Sequence, residues 1–579
     1  MSIIKTLEKN ILDNIKDLGY DLEQVTLQPS TRKEFGDYQI NDAMMLGKKY
    51  GKNPRLVAEE IVKRLEDIKA FTNINIAGPG FINLSLSDDF LIESMKKLKN
   101  IKENNIDLLP KKKIVLDYGG ANCAKVLHVG HLRANIGEAL KRLANVLGQD
   151  TISDVHLGDF GAQAGLVCLE IKQRYPDLIC FKEDYDGEDF DLPFDKDALS
   201  EIYPTASIRA KEDEQFKEEA GLITLKIQNN DIGYKTLWEK AKDLSLIDIK
   251  KIYADLNLTF DLWEGEMSAL KEIPEILDTF EKKGLTYISD GALIMDVKED
   301  TDSKEIPPII LKKSNGAYIY ASTDLGTLKT RMEKYNPDEV WYLTDNRQEL
   351  HFKQVFRAAR KGNIVNDNTK LEFLGFGTVN GKDGKPFKTR DGGVMTLNNL
   401  INEIYEKVLE KTKEGQASNI EETAYTVAIA ALKYADLLSF RTTDYVFDMD
   451  KFCDLEGKTG PYLLYSTVRI KSLLRKAQEE KIDIDDYLKL TTTTEKEIIM
   501  NLIQLPKVLT KSYNIKSVNE ISDYIYKLTS SYNKFYSENK ILIEKDSEIR
   551  TSWLALSKVV LDTNLLLLDI LGINVPEKM

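Results

Sequence analysis

The feature that most constrains the fold is a strand–turn–helix–strand pattern between residues 114 and 157. The run Ile114–Tyr118 (I-V-L-D-Y) is typical of a short buried strand, and the breaker G-G-A-N follows it. An amphipathic helix is predicted from about Val129 to Leu147, Gly148 ends it, and Thr151–Leu157 is predicted to be the next strand. A β-α-β unit of this kind builds a parallel sheet, so we expect an α/β domain.

Two of the chain's four histidines lie where the first strand joins that helix, in the tetrad H-V-G-H. Ligands bind beyond the carboxyl ends of parallel strands, and the first turn of a helix suits phosphate. His128 and His131 can donate hydrogen bonds to a phosphoryl group, while Gly130 leaves room for a flat base. Two histidines at a helix start with no ligand remain an alternative. The i, i+4 histidine pair of helical zinc sites is absent.

A second candidate is the glycine-flanked segment Gly381–Gly393 (G-K-D-G-K-P-F-K-T-R-D-G-G), here called the cationic loop. Lys385, Lys388 and Arg390 give it several positive charges, and such a loop can close over a polyphosphate. It lacks the spacing of a Walker loop, and an ordinary surface turn is the alternative.

Polar groups also occur at other predicted strand ends. The segment 154–165 (D-V-H-L-G-D-F-G-A-Q-A-G) is rich in glycine and is typical of a ligand-facing loop or a tight turn. Tyr320, Asp324 and Gln348 follow further apolar runs and together would suit a pocket for a cation. Individually, each of these residues also fits a purely structural role.

The remaining chain divides into three parts. Residues 1–108 are predicted to form an α+β module, with helices at Ile3–Leu18 and from Pro54 to Leu65 and two strands at Asn73–Leu86. Residues 170–270 are charged and mainly helical, and residues 402–579 are nearly all helical. Strands that continue the parallel sheet to about residue 375 are expected at Gly291–Val297, Ile306–Leu311, Ala317–Ala321 and Glu339–Thr344.

Composition limits the cellular setting. The start of the chain has no apolar signal core, and no apolar run approaches membrane-spanning length. The four cysteines are scattered without a C-x-x-C pair, which favours a reducing compartment and argues against a structural zinc site. A net charge of −14 disfavours indiscriminate binding of nucleic acid, although local basic patches remain. We therefore predict a cytoplasmic protein with no membrane or DNA partner.

In combination, these motifs resemble the class I aminoacyl-tRNA synthetases. His128–His131 match the HIGH tetrad of that class, and Lys385–Thr389 (K-P-F-K-T) match its KMSKS loop. The flanking segments are similar to those of arginyl-tRNA synthetases. These segments are G-A-N-C-A-K, H-L-G-D-F-G-A-Q-A-G, F-D-L-W-E-G-E, D-G-K-P-F-K-T-R, Y-A-D-L-L-S-F-R-T-T-D-Y-V-F-D, E-G-K-T-G-P-Y-L-L-Y and L-G-I-N-V-P-E-K-M. Near the start, E-F-G-D-Y-Q-I-N and A-G-P-G-F-I-N-L resemble the N-terminal domain of the same family, so the likeness spans essentially the whole chain.

The resemblance implies a fold of three domains. Residues 1–108 would form an N-terminal α+β domain that contacts the tRNA elbow. Residues 109–400 would form a Rossmann-like parallel-sheet catalytic domain with HIGH and KMSKS-type motifs and a helical insertion at about 170–270. Residues 401–579 would form an all-α helical-bundle domain that binds the anticodon. Monomer is the expected oligomeric state.

The resemblance also implies a reaction and its residues. ATP, as its Mg²⁺ complex, would react with L-arginine to give arginyl-adenylate, and arginine would then pass to the terminal adenosine 2′-hydroxyl of tRNA(Arg). No prosthetic group is implied, and the sequence shows no dedicated metal site. The catalytic residues would be His128, His131 and Lys388, and the ATP-binding residues would be Lys125, His128, Gly130, His131, Lys385 and Lys388.

Substrate recognition completes the implied site. Asp324 would face the guanidinium, with Tyr320 and Gln348 beside it, while Asn122 and Asp117 would hold the α-carboxylate and α-amino ends. The family's Ser-Pro is Gly120-Ala121 here, which removes a hydroxyl and leaves open how the α-amino group is held. The tRNA contacts would be Phe35, Tyr38 and Gln39 near the start and Tyr462, Tyr465 and Arg469 in the helical region.

Three other classes of protein share part of this set of motifs. Small nucleotidyltransferases also use an H-x-G-H helix, but they lack a long helical region after the catalytic domain. A class I synthetase for another amino acid shares the ATP motifs. A synthetase-like RNA-binding regulator without catalysis would not need the histidine tetrad, Lys388 and Asp324, all of which this chain carries.

Overall fold

The first hundred residues form an antiparallel sheet flanked by helices. The structure is a computed structural model that describes residues 1–30, 32–382, 384–385, 395–412 and 419–579. Its first elements are α1 (Ile3–Asp17), β1 (Gln28–Pro29), β2 (Tyr38–Ile40), α2 (Asp42–Tyr50), α3 (Pro54–Leu65), β3 (Phe71–Ala77), β4 (Phe81–Leu86), α4 (Asp88–Leu98) and α5 (Ile101–Asn104). The strands lie in the order β1-β2-β4-β3, and a 3-10 turn spans Lys33–Phe35. The predicted helices and the predicted strand pair are present.

The middle of the chain contains the predicted β-α-β unit. Its elements are β5 (Lys113–Asp117), α6 (Ala134–Val146), β6 (Asp150–Asp154), α7 (Ala162–Arg174), α8 (Lys196–Glu212), α9 (Glu214–Gln228), α10 (Ile232–Asp255), α11 (Ile273–Lys282), β7 (Thr286–Ser289), β8 (Ala292–Met295), β9 (Ile309–Lys312), α12 (Tyr320–Tyr335), β10 (Glu339–Tyr342), α13 (Glu349–Gly362), β11 (Lys370–Phe373) and β12 (Val379–Asn380). Short 3-10 helices lie at Val129–Arg133, Ile179–Phe181, Glu266–Glu272 and Asn346–Gln348.

A four-stranded parallel sheet organises this region. Its order is β11-β10-β5-β6, and every neighbouring pair is parallel. Val340 and Tyr342 pack with α12 and α13 on one face, whereas Trp341 between them packs in the apolar cluster on the other face. Successive side chains of a strand point to opposite faces, so a strand covered on both sides is apolar throughout. The predicted α/β fold is confirmed.

Two of the strands predicted for the parallel sheet belong elsewhere. β7, β8 and β9 form a separate antiparallel sheet in which β8 is central. The expectation that Gly291–Val297 and Ile306–Leu311 extend the parallel sheet was therefore wrong. Parallel neighbours need a crossover, usually a helix, and the link from β8 to β9 contains no helix.

The segment Ala317–Ala321, predicted as a strand, instead leads into helix α12, which begins at Tyr320. Ala321, Leu325 and Leu328 are buried on this helix at helical spacing. A short apolar run does not by itself distinguish a strand from the start of a buried helix, which is why the prediction failed.

The last third of the chain is helical, as predicted. Its elements are α14 (Leu397–Thr412), α15 (Ile420–Asp436), β13 (Tyr445–Val446), α16 (Met449–Phe452), α17 (Gly460–Glu479), α18 (Thr493–Ile515), α19 (Asn519–Glu538) and α20 (Ser547–Ile570), with a 3-10 turn at Ile541–Ile543. The two-residue strand β13 pairs in parallel with β12. Within the described ranges, none of the helices combines the length and apolar character that a bilayer crossing requires.

Candidate active site

A cavity of about 580 Å³ opens at the carboxyl ends of β5, β6 and β10. Parallel sheets place ligand sites at this edge. Most of its lining residues follow a strand or begin a helix. The predicted site residues among them are Asp117, Asn122, His128, Gly130, His131, Tyr320, Asp324 and Gln348. The structure therefore brings the predicted ATP-binding tetrad and the predicted arginine-binding residues into one space.

The two histidines hold each other in place. Nδ1 of His128 accepts from the Gly130 amide at 3.0 Å, and Nδ1 of His131 accepts from the His128 amide at 3.1 Å. A ring nitrogen that accepts carries no proton, so in the neutral His128 ring the Nε2–H is the remaining donor. Nδ1 of His131 also lies 3.1 Å from the His128 carbonyl, so the tautomer of this ring depends on which of the two backbone groups it bonds. The 3-10 helix Val129–Arg133 starts with this reciprocal cap, and the two ring centroids are 4.1 Å apart.

Both histidines are neutral at physiological pH. Partial desolvation and the nearby charges of Lys125 and Arg347 lower the pKa of His128. Burial, together with the neighbouring His128, lowers the pKa of His131 to about 3. The pair therefore presents ring nitrogens of fixed orientation, with an N–H donor at His128 Nε2 and no fixed positive charge, an arrangement that suits the oxygens of a phosphate chain.

Gly130 is required by the histidine cap itself. A Cβ atom at this position would lie 2.8 Å from Cε1 and 2.9 Å from Nδ1 of His128. The sequence predicts that this glycine leaves room for a base. The structure adds a second reason for a glycine here, because the His128 ring folds over it.

Residues on both sides of the cationic loop, Val379 before it and Met395 after it, line the cavity with the histidines. β12 leads directly into Gly381, whose amide donates to the Lys385 carbonyl at 2.8 Å. After the loop, the Val129 amide donates to the Met395 carbonyl at 3.4 Å, and the Leu397 amide donates to the Leu127 carbonyl at 2.8 Å. Lys385 is exposed, whereas Lys388 lies outside the described residues.

An arginine-centred network forms the floor of the cavity. Nη2 of Arg331 donates to Oδ2 of Asp117 and to Oδ2 of Asp154, both at 2.7 Å. Burial raises the pKa of Asp117. Burial would lower the pKa of His156, but its interaction with Asp154 and the charge of Asp117 raise it to about 9. His156 has a φ of 40°, an uncommon backbone conformation for a residue with a side chain.

Two carboxylates line the opposite wall. Asp324 lies in the second turn of α12, and His351 Nε2 donates to its Oδ2 at 2.6 Å. Glu266 begins the 3-10 helix Glu266–Glu272, and its buried Oε2 has no partner among the described residues. Burial raises the pKa of Glu266 to about 8, and the nearby Asp324 acts in the same direction. A half-buried carboxylate pair of this kind suits a cationic ligand.

Lys125 lies apart from the main cavity. Its Nζ is 4.6 Å from the centroid of the Tyr203 ring, and it lines a neighbouring cavity of about 330 Å³. Tyr320 stands between the main cavity and another, with its ring edge-on to Phe160. No cluster of three or more potential metal-binding side chains occurs in the part of the chain that the structure describes.

The predicted tRNA contacts near the start of the chain differ in exposure. Tyr38 is fully buried and its hydroxyl accepts from Gln504 Nε2 at 2.7 Å. This residue packs the first region against α18, so the structure removes it from the candidate RNA surface. Gln39 donates to Asn83 Oδ1 at 2.9 Å, and Phe35 lies at the end of the 3-10 turn.

The predicted contacts on α17 differ in the same way. The Tyr462 hydroxyl accepts from Asn533 Nδ2 at 2.8 Å, which is a contact between helices. Tyr465 is 43% exposed, and the Arg469 guanidinium lies 4.8 Å from its ring centroid and 5.4 Å from that of Tyr536. Exposed stacked groups of this kind can bind unstacked bases.

Sequence comparison defines the class first. Sequence models match three parts of the chain: "tRNA synthetases class I (R), catalytic domain" at residues 94–449, "Arginyl tRNA synthetase N terminal domain" at 5–86 and "DALR anticodon binding domain" at 463–579. The fold and the first of these matches place the chain among class I tRNA synthetases.

Whole-chain relatives then define the family. Proteins named arginine–tRNA ligase from Agathobacter rectalis and Alkaliphilus oremlandii are each 42% identical over 100% of both chains, and one from Francisella tularensis subsp. novicida is 39% identical over the same share. The chain belongs to the arginine–tRNA ligase family.

Solved structures share the fold of the whole chain. The arginyl-tRNA synthetase structure from Plasmodium falciparum has a TM-score of 0.81 at 26% identity, and the match covers 100% of this chain and 99% of that one. The Thermus thermophilus arginyl-tRNA synthetase matches in fold, with a TM-score of 0.78 at 19% identity and 100% of both chains covered.

Proposed function

We propose that the cavity activates L-arginine with ATP and that the chain then transfers the arginyl group to tRNA(Arg). The observation that carries this proposal is that the neutral histidine pair and the Glu266–Asp324 wall open into the same space. The histidine side suits the polyphosphate of ATP, and the carboxylate side suits the guanidinium of arginine. ATP and arginine are the two substrates that the activation step joins.

Activation follows from positioning and charge stabilisation. The arginine carboxylate attacks the α-phosphorus of ATP, the bond to the bridging oxygen breaks, and pyrophosphate leaves with its electron pair. His128, through Nε2–H, and His131 hydrogen-bond to the phosphate chain, and the amino end of their helix supports the same charge. Class I ligases use ATP with Mg²⁺; we assign no residue of this chain to the metal.

Lysines supply the remaining charge for the phosphates. Lys125 lies close enough to lower the pKa of His128 and is proposed as an additional phosphate contact. Lys385 and Lys388 of the cationic loop are proposed to steady the leaving pyrophosphate, because the residues after that loop bond to the histidine turn and Val379, before it, lines the same cavity. Their role remains a prediction from the motif.

Recognition of arginine needs a charged partner for the guanidinium. We propose Asp324 and Glu266, with His351 orienting the Asp324 carboxylate and Tyr320 and Gln348 bordering the pocket. Sequence reasoning missed Glu266, although it ends the segment F-D-L-W-E-G-E. A guanidinium would compensate the charge that burial makes unfavourable there.

The backbone end of the substrate is proposed to lie near β5. Asn122 would bind the α-carboxylate, and Asp117 would bind the α-ammonium group through the oxygen that Arg331 does not occupy. Sequence reasoning also missed Arg331, which fixes Asp117 in place. Gly120, at which the family carries a serine, lines the same cavity.

The tRNA is proposed to contact both ends of the chain. Residues 401–579 would bind the anticodon, with Tyr465 and Arg469 as the exposed candidates, and residues 1–108 would bind the elbow through Phe35 and Gln39. The catalytic domain between them is proposed to span 109–400. We further propose that the enzyme acts as a cytoplasmic monomer.

One assay tests the function against its alternatives. Exchange of pyrophosphate into ATP should require arginine, and we expect it to require tRNA(Arg) as well. Exchange with lysine or cysteine in place of arginine would leave the class but overturn the arginine assignment. No exchange with any amino acid, with or without tRNA, would favour a non-catalytic RNA-binding protein.

A further inference from the structure

A buried ion pair lies directly behind the histidine turn. Arg133 ends the 3-10 helix that His128 caps, and it is 1% exposed. Its Nη1 donates to Oδ1 of Asp436 at 2.7 Å, and its Nη2 donates to the Arg441 carbonyl at 2.8 Å. The ATP-contacting turn is therefore bonded to the end of α15 and to the segment that follows it, which we call the connecting segment (residues 436–446).

The same segment also holds the base of the cationic loop. The Gly377 amide donates to the Arg441 carbonyl at 2.9 Å, and the Thr378 amide donates to Oδ1 of Asp444 at 2.7 Å. Val379 and Asn380 pair in parallel with Tyr445 and Val446. The loop begins at the next residue, so its first anchor is the connecting segment.

Tyr445 connects the Arg133–Asp436 ion pair to the base of the cationic loop. Its amide donates to the Thr378 carbonyl at 3.0 Å, and its hydroxyl donates to the Asp436 oxygen that Arg133 also binds, at 2.9 Å. The Arg133 guanidinium lies 5.3 Å from the Tyr445 ring centroid. Burial and the Asp436 charge hold the pKa of Tyr445 well above its ordinary value, so the hydroxyl remains a donor.

Arg441 fixes the connecting segment from behind. Its Nη1 donates to the Gly375 carbonyl beyond β11 at 2.6 Å, and its Nε donates to the Lys516 carbonyl after α18 at 3.0 Å. The Lys516 end of this contact lies in the part of the chain matched by the anticodon-binding model. One arginine thus connects the catalytic sheet, the connecting segment and the anticodon-binding helices.

Stability alone is a poor explanation for this pair. Among the described residues, neither Nε of Arg133 nor Oδ2 of Asp436 has a hydrogen-bond partner. Buried ion pairs with incomplete bonding are often no more stabilising than apolar side chains of the same volume, whereas they do specify one geometry. The geometry specified here is the spacing between the histidine turn and the base of the loop.

We propose that Arg133, Asp436 and Tyr445 form a positioning cluster that sets the two ATP-contacting elements at the correct distance from each other. The proposal rests on the function given above, because it assigns both elements to ATP. The cluster acts through the histidine turn and through the base of the cationic loop, residues 377–380. Among the described residues, its hydrogen bonds and ion pair include neither Glu266 nor Asp324, so we expect its effect to be specific to ATP.

Tyr445→Phe tests the proposal, because it removes one hydroxyl and keeps the ring. Tyr532→Phe is the matched control: Tyr532 is also buried, and its hydroxyl donates to Ser557 at 2.8 Å between α19 and α20. In the full chain with tRNA(Arg), we expect Tyr445→Phe to raise KM for ATP about 3- to 10-fold in pyrophosphate exchange, with KM for arginine unchanged. Tyr532→Phe should change neither constant.

A rise in KM for ATP without a rise in KM for arginine would exclude a merely structural role for the cluster. A loss of folded protein lowers kcat and leaves both KM values alone, and thermal unfolding curves of both variants measure it directly. Equal KM values for ATP in Tyr445→Phe and Tyr532→Phe would overturn the proposal, as would a parallel rise in KM for arginine. Asp436→Asn should show a larger effect of the same kind, and if it does not fold, Tyr445→Phe decides the question.

Calorimetric titration of each variant with ATP separates this proposal from the proposed function. It needs neither arginine nor catalysis. If the wild-type chain binds ATP but does not exchange with arginine, the function fails, while a weaker affinity for ATP in Tyr445→Phe still supports the cluster. An ATP affinity equal to that of the control overturns it.

Discussion

The two walls of the cavity are built in different ways. On the proposed ATP side, three residues within four positions of the chain, His128, Gly130 and His131, hydrogen-bond to each other in one turn of a helix. On the arginine side, Glu266, Asp324 and His351 come from separate elements and meet only in the folded chain. The proposed ATP wall is thus a local structure built around two neutral rings. The proposed arginine wall is a tertiary structure in which burial makes the ionised form of Glu266 unfavourable.

We expect the largest effect from a substitution in the arginine wall. Asp324→Asn keeps the shape and removes the charge, so we expect kcat/KM for arginine to fall about 1000-fold, because a desolvated guanidinium loses its ionic partner. Affinity for ATP should remain within about twofold. Pyrophosphate exchange at varied arginine and calorimetry with ATP provide the two measurements.

Asp345→Asn is the matched control for this substitution. Asp345 lines the same cavity but accepts from its own neighbour Arg347, at 2.8 Å. It should change KM for arginine by less than about threefold. If both variants lose arginine equally, the general negative charge of the cavity, and not Asp324, determines binding.

The second prediction concerns the protonation of Glu266. Glu266→Gln should lower kcat/KM for arginine about 100-fold, since one of two carboxylates remains. It should also stabilise the free protein. The carboxyl binds its proton more tightly in the folded state, with a pKa of about 8 against an ordinary 4.5, so its ionisation costs folded-state stability as pH rises through that range.

The measurement is the thermal midpoint across pH. Relative to Glu266→Gln, the wild-type midpoint should fall by a few degrees as pH rises from about 4.5 past 8. Glu264→Gln is the control, because Glu264 pairs with Lys334 at 3.2 Å near the surface. Parallel curves for the wild type and Glu266→Gln would show that Glu266 is ionised without cost.

The difference between the walls also explains what the sequence could predict. The β5–α6–β6 unit and the histidine turn depend on neighbouring residues, and the sequence pattern was sufficient for both. Arg331 bonds Asp117 across 214 residues and Asp154 across 177, and no local periodicity encodes such a contact. The start of α12 at Tyr320 was missed because tertiary packing, and not the apolar run, decides its conformation.

The third prediction compares the walls by pH. The pKa of both histidines lies below the ordinary 6.5, so KM for ATP should vary by less than about twofold between pH 7 and 8. Arginine binding requires ionised Glu266, so KM for arginine should rise as pH falls below about 8, by up to about tenfold per unit. Near pH 7, binding of arginine should release about one proton, which calorimetry in buffers of different ionisation enthalpy measures. No proton release would place the arginine contact elsewhere.

We expect the smallest effect from a substitution that tests whether the ATP wall acts independently of the arginine wall. Gly130→Ala places a Cβ 2.8 Å from the His128 ring, so the ring must turn and its cap with the Gly130 amide must weaken. We expect KM for ATP to rise about 5-fold and KM for arginine to stay constant. Gly221→Ala on α9, where the added Cβ meets nothing within 4 Å, is the control and should change neither constant. If Gly130→Ala changes both constants, the walls are coupled through the histidine turn; if it changes neither, the His128 ring moves freely and the cap is not what orients it.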